Sequence, residues 1–181
     1  MRVGLTLLIG VLAGFLMLAV AGGLMVCAGA FDMAATVAPG SLEQRVAGMT
    51  LEASVRKRSP RKKSPFAPSP AVLSEGREHY SEDCLVCHGA PGLGSSDIAK
   101  GMNPAPPDLS LPRTQKRSDG NLFWIIGQGI RMTGMPAFAP THTEDEIWKM
   151  VAFVRHLPNL TQEERSRLTV KEKSEEQDQD R

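Results

Sequence analysis

The chain is poor in cysteine, in net charge and in aromatic residues, and each shortage removes a class of function. It has three cysteines in 181 residues. Cys84 and Cys87 form a close pair and Cys27 lies alone in an apolar run, so there is no disulfide framework. A structural zinc site wants four ligands, and no second cysteine pair exists to supply them. No βαβ pattern surrounds Cys84 and Cys87, which removes the thioredoxin-like reading of a Cys-x-x-Cys. The net charge is +1, so no whole-chain attraction for nucleic acid arises. Aromatic residues make up 5% of the chain. None interleaves with the clustered basic residues, as a base-stacking platform would require.

What charge there is lies unevenly. Residues 40–70 hold seven Lys/Arg against two Glu, a net of +5. Residues 71–160 and 161–181 each sum to −2. The basic character is therefore a local patch.

The informative stretch is Cys84-Leu85-Val86-Cys87-His88. Two thiols at this spacing with an imidazole directly after them are the pattern of covalent c-type haem attachment. On a helical turn Cys84 and Cys87 share a face and can reach both vinyl groups of one porphyrin. His88 then lies beneath the iron as the proximal ligand. Length allows one domain of about 90–100 residues plus appendages.

Ahead of that domain, Val3 to Phe31 contains no charged residue. At ~1.5 Å per residue such a helix spans a hydrocarbon core of ~30 Å. Arg2 and the terminal amine are the only charges before it, which suits a cytoplasmic N-terminus and an exported remainder. The basic run from Arg56 lies beyond the ~15–20 residues over which such charges count. The expectation is an uncleaved anchor, residues 1–31. The alternatives are cleavage after Ala28-Gly29-Ala30, against which the apolar run is far longer than the ~7–15 residues of a signal core, and lipidation at Cys27, where Val26 replaces the expected small residue.

Residues 32–70 read as an amphipathic helix followed by a tether. Leu42, Val46, Met49 and Ala53 form a helical stripe, as on a helix lying on a membrane surface. Arg56 to Lys63 is strongly basic, and Pro60, Pro65, Pro68 and Pro70 favour extended chain. The basic run suits anionic headgroups or simply a solvated linker.

Residues 71–158 read as the haem domain. Ala71 to Val86 is predicted helical, with Val72, Leu73, Gly76, Tyr80, Cys84 and Cys87 near one face. Residues 95–118, rich in Pro, Gly, Asn and Ser, read as loop. A haem-ligating His usually donates its second ring nitrogen to a carbonyl. Pro107 is placed to offer one; a rigid turn without that role is the other reading. Asp119 to Gly129 is predicted as a second helix, with Trp124 half-buried at the surface or, as the alternative, packed on the haem. Met135, between Gly134 and Pro136, is the candidate thioether ligand, and Met132 the reserve. Thr143 and Glu146 form a capping box opening a helix whose buried stripe is Ile147, Met150, Val151, Val154 and Leu157, with Trp148 and Phe153 at its edges. His142, just before this cap, and His156, in the last turn, are read as exposed structural residues, with a sixth-ligand role the alternative for either, and His79 as a helix-surface residue. Residues 159–181 carry another capping box, Thr161 and Glu164, but are too polar to offset ordering entropy and are expected to be frayed or disordered.

Residues 71–158 resemble the class I c-type cytochrome domain, in its membrane-anchored bacterial single-haem form. The residues that carry the likeness are Gly76, Tyr80, Cys84, Cys87-His88, Pro107-Asp108-Leu109, Gly134-Met135-Pro136 and the terminal helix with Phe153. The resemblance implies an all-α fold whose first and last helices cross at Gly76, Tyr80 and Phe153. It also implies one haem c bound outside the cytoplasm, with His88 and Met135 as axial ligands and His88 bonded to Pro107. The function so implied is electron transfer at the periplasmic side of the bacterial inner membrane, between redox partner proteins, with no catalytic residue. Alternatives are a fixed subunit of a dehydrogenase or oxidase complex, and a haem enzyme or gas sensor with an open sixth site. For the last, no distal acid–base pair is evident.

Overall fold

The computed structural model describes residues 2–92 and 96–168. These are helical or irregular, with no strand among them. They divide into two units, residues 1–37 and 38–181.

The first unit is dominated by α1, Arg2–Cys27, 26 residues long. Its span Val3–Cys27 has a mean hydropathy of 2.6 and none of it is buried. Leu5, Leu8, Phe15, Leu16 and Leu24 all stand more than half exposed.

The second unit contains α2 (Ser41–Arg58), α3 (Pro70–His79), α4 (Leu85–His88), α5 (Asp97–Lys100), α6 (Pro112–Gln115), α7 (Asp119–Gln128) and α8 (Glu144–His156). The terms that start these helices are local. Ser69, Ser96 and Ser118 cap α3, α5 and α7 by accepting from backbone N–H groups three residues on. At α8 both halves of the capping box form: Thr143 Oγ1 accepts from Glu146 N at 3.3 Å, and Glu146 Oε2 accepts from Thr143 N at 2.7 Å. The two hydrogen bonds to Thr143 hold the Glu146 carboxyl below its ordinary pKa. The loop expected at 95–118 thus contains two single-turn helices, α5 and α6.

The core lies where α3 crosses α8. A Cβ at Gly76 would run into the Lys149 carbonyl and meet Phe153 Cβ at 2.9 Å. Only glycine allows this approach. Tyr80 and Phe153 meet with ring centroids 5.4 Å apart, tilted by 55°, and both are essentially fully buried. Phe153 and Trp148 lie inside the core rather than at its edge, because the helix-facing stripe of α8 is covered from both sides. Phe123 of α7 stacks on Trp148 at 4.2 Å.

Between α3 and α4 the chain makes a π-helical turn, Tyr80–Cys84, with Leu85 N bonded to Tyr80 O. This fifth-residue spacing moves the buried stripe. Gly76, Tyr80 and Leu85 face the core, Leu85 with no exposure, while Cys84 is half-buried. A regular four-residue spacing puts Cys84 on this stripe; where the helix widens, Leu85 takes that place and Cys84 packs at the core's edge.

Two further segments differ from expectation. The 52–66 stretch makes specific contacts with the α6–α8 region. Val55 is 1% exposed. Glu52 pairs with Arg117, Phe66 packs on the core, and Ser64 N lies 3.5 Å from Asp119 Oδ2. Leu42, Val46 and Met49 remain exposed, an apolar face at the other end of α2. At the C-terminus, Leu160 and Leu168 are buried, residues 162–168 are helical, and Thr161 and Glu164 form a second pair of capping contacts. Two leucines and a cap therefore order 159–168. Residues 169–181 of the expected disordered tail lie outside the described residues.

If the α3–α8 crossing is as close as this, Gly76→Ala should destabilise the second unit by ~1–3 kcal/mol in urea titration. On helix propensity alone it should gain about 1 kcal/mol. A gain would mean that the helices do not touch there.

Candidate functional site

The site is built from three segments hung on the α3–α8 core. The first is the π turn and α4, which carry Cys84, Cys87 and His88. α4 stops at Gly89, whose carbonyl accepts from the Tyr80 hydroxyl at 2.8 Å. The core tyrosine thereby ties down the chain immediately after His88.

The second segment is the loop through Pro107. His88 Nδ1 lies 2.8 Å from Pro107 O. A carbonyl can only accept, so Nδ1 carries the proton and Nε2 keeps its lone pair. The loop itself is held in place. Asp108 Oδ1 accepts from Ser110 N at 2.7 Å and from Ser110 Oγ at 2.6 Å. Gln115 Nε2 donates to Leu109 O at 2.7 Å and to Val154 O at 2.9 Å, joining the loop to α8. Arg155 on α8 donates to Gln115 O at 2.7 Å, to Asp119 Oδ1 at 2.8 Å and to Arg117 O. One guanidinium thus fixes the α6–α7 corner.

The third segment is the strap 129–139, which carries Met135. Its backbone is pinned to α7: Phe138 N donates to Ile126 O at 3.2 Å and Ala139 N to Gly127 O at 3.0 Å. Within the strap, Ile130 N donates to Met135 O and Met135 N to Thr133 Oγ1, both at 3.2 Å. Gly129 makes the turn possible, with φ +64 and ψ −172, a region that is essentially glycine-only. A Cβ there would lie 2.6 Å from the Pro136 carbonyl.

Burial sets the electrostatics. It pushes the Cys84 thiol up to about 12, with the Asp83 carboxylate and Cys87 adding to the rise. Burial also raises Cys87. Both thiols are therefore protonated at neutral pH, and no disulfide joins them. Burial lowers the His88 pKa, outweighing the Pro107 carbonyl and the Asp108 carboxylate, which act upward. The neutral imidazole, the metal-ligating form, is favoured.

The structure brings His88 and Pro107 into contact, and sets Cys84, Leu109, Met135 and Phe138 half-buried around one core. Met132, the reserve ligand, is 85% exposed and is set apart from that group. These residues fit a covalently held haem: two protonated free thiols, one imidazole with its far nitrogen engaged and its near nitrogen free, and a half-buried thioether on a pinned strap. Of the histidines assigned to the surface, His156 pairs with Glu164 at 3.1 Å. His142 differs from its assignment. It is 16% exposed and faces Asp83, a contact that no spacing in the sequence signals.

The family described as "Cytochrome C oxidase, cbb3-type, subunit III" matches residues 71–154. No curated protein matches the chain. Among solved structures, a chain of the reducing HAO-like protein complex of Kuenenia stuttgartiensis is 26% identical, covering 51% of this chain and 46% of that one, with a TM-score of 0.45. This chain thus spans less than half the length of that relative. With the family match set on the all-helical second unit and its Cys-x-x-Cys-His, residues 71–154 are a c-type cytochrome domain.

Proposed function

We propose that the protein is a membrane-tethered electron-transfer protein of the periplasmic side, holding one haem c through Cys84 and Cys87. His88 and Met135 would hold its iron. The observation that carries this reading is the 2.8 Å contact of His88 Nδ1 with Pro107 O, which orients a free Nε2 directly after the paired thiols. Haem bound here supplies reversible Fe(III)/Fe(II) exchange, with the potential set by ligand identity and burial.

The chain's own residues do the rest. Pro107 O fixes the ring plane and tautomer of His88 and raises its basicity as a ligand. Gly129 and the two strap-to-α7 hydrogen bonds hold Met135 in place, where its thioether would exclude exogenous ligands from the iron. α1, 26 residues long, spans about 39 Å at ~1.5 Å per residue, enough for a hydrocarbon core of ~30 Å. Tethering confines the search for redox partners to the membrane plane and raises their effective concentration. The −2 charge of residues 71–160 gives weaker steering than a lysine-rich carrier would have.

A second reading has one observation in its favour: the matching family is described as a subunit of an oxidase. There the domain is fixed within a complex and does not shuttle. Mild detergent extraction followed by a mass measurement separates the two, a monomeric mass favouring the carrier.

The oxidised protein should show a Met–Fe(III) charge-transfer absorption that disappears in Met135→Ala, and the reduced variant should bind CO where the wild type does not. Rapid CO binding by the wild type would defeat six-coordinate electron transfer. Gly129→Ala leaves both ligands present but disturbs the strap, at a cost on the order of 1–3 kcal/mol, and should weaken the same band without abolishing it. Replacing Cys84 and Cys87 with Ser should give protein that retains no haem after denaturation; retention would refute attachment at these thiols.

A further inference from the structure

Among the described residues, one cluster of metal-ligating side chains lies outside the haem-binding set. His79 ends α3, Asp83 lies in the π turn, and His142 precedes the N-cap of α8. One ligand atom from each lies within 4.8 Å of the other two. The two imidazoles meet edge to face with centroids 5.2 Å apart. All three side chains are half-buried.

The hydrogen bonding around His142 leaves a specific deficit. Thr141 Oγ1 donates to Phe138 O at 3.3 Å. Its proton is thereby used, so at 2.9 Å from His142 Nδ1 it accepts the ring N–H. A neutral His142 then turns the lone pair of Nε2 toward Asp83 Oδ2, 3.2 Å away. Two electron-rich atoms face each other, and something positive must lie between them. A proton on Nε2 is one solution, but Asp83 Oδ2 is shut off from solvent and has no hydrogen-bond partner of acceptable geometry. The ring N–H direction does not serve it. A cation coordinated by both atoms does.

The spacing agrees. Bonds of about 2.0–2.1 Å in a tetrahedral zinc site place ligand atoms about 3.3 Å apart. The His142–Asp83 edge already has that length. His79 must close by at most about 1.5 Å, within reach of a side-chain rotation. The Thr141 hydroxyl on His142 Nδ1 is the outer partner that metal-ligating histidines normally have.

We propose that His79, Asp83 and His142 form a second metal site, which binds one Zn²⁺-class divalent ion and leaves a fourth position for water. Two imidazoles and one carboxylate are ligands of intermediate hardness, suited to zinc and its neighbours rather than to calcium or magnesium. The site uses none of the haem-binding residues and stands independently of the reading above.

The test uses the untagged, full-length haem-loaded protein in detergent, stripped with EDTA and titrated with Zn²⁺ alone in a calorimeter. One ion per chain is expected. His79→Gln and His142→Gln should each weaken binding about tenfold or more, while His156→Gln, whose imidazole is engaged with Glu164, should leave it unchanged. Zinc K-edge absorption on the wild type needs no variant and guards against misfolding. It should show a nitrogen/oxygen shell at about 2.0–2.1 Å with imidazole scattering. Absence of saturable binding, undiminished binding in the His79 and His142 variants, or a sulfur shell at about 2.3 Å would overturn the proposal. The sulfur shell would also place the ion on Cys84 and Cys87, and so expose a failure of haem attachment as a separate outcome.

Discussion

Every functional segment of the second unit hangs on the close approach of α3 to α8 at Gly76. The missing side chain lets the Lys149 carbonyl and Phe153 sit against the helix backbone. Tyr80 can then lie on Phe153 and reach the Gly89 carbonyl with its hydroxyl. That hydroxyl bond ties the end of α4, and so His88, to the core. From the opposite side α8 holds the Pro107 loop through Gln115 and the α6–α7 corner through Arg155. The attachment motif and the loop that orients its histidine are therefore fixed by the two partners in one helix crossing. Full burial of side chains the size of Phe153 and Tyr80 is worth ~1.5–3 kcal/mol each, which is why that crossing can anchor loops with little core of their own.

Much of this was legible in the sequence for physical reasons. The Cys-x-x-Cys-His pattern has few chemical alternatives once the chain's other cysteine is seen to stand alone. The Thr143–Glu146 capping box specifies its own hydrogen bonds within four residues. The period of α8 shows which face is buried. The contact of His88 with the Pro107 carbonyl is the one the family resemblance implies; the loop's own residues left a rigid turn equally open. What the sequence hid depends on tertiary contact. Nothing local marks Glu52 as the partner of Arg117, 65 residues on, so a stretch read as a membrane-surface helix and tether makes contacts that no period or composition reveals. Two leucines, Leu160 and Leu168, were too few to register against a run of charges, yet each finds a place in the core. The His142–Asp83 contact joins residues 59 positions apart, and neither has a periodic neighbour to advertise it.

α2 contains two different environments in one helix. Its last turns are held by Val55 and Glu52, while Leu42, Val46 and Met49 stay exposed. A helix apolar on a face it does not bury departs from the usual economy of soluble domains, and α2 shares that departure with α1, none of whose apolar span is buried.

The wide turn at Tyr80–Cys84 acts as a frameshift between two helical faces. Upstream of it, the frame defined by Gly76 and Tyr80 belongs to the core. Downstream, the same inward frame is taken over by Leu85, and Cys84, Cys87 and His88 are rotated out to its flank. One additional residue in the turn thus separates the packing code from the chemical code along a single continuous stretch of helix. The consequence is that each can vary in sequence without putting the other out of phase.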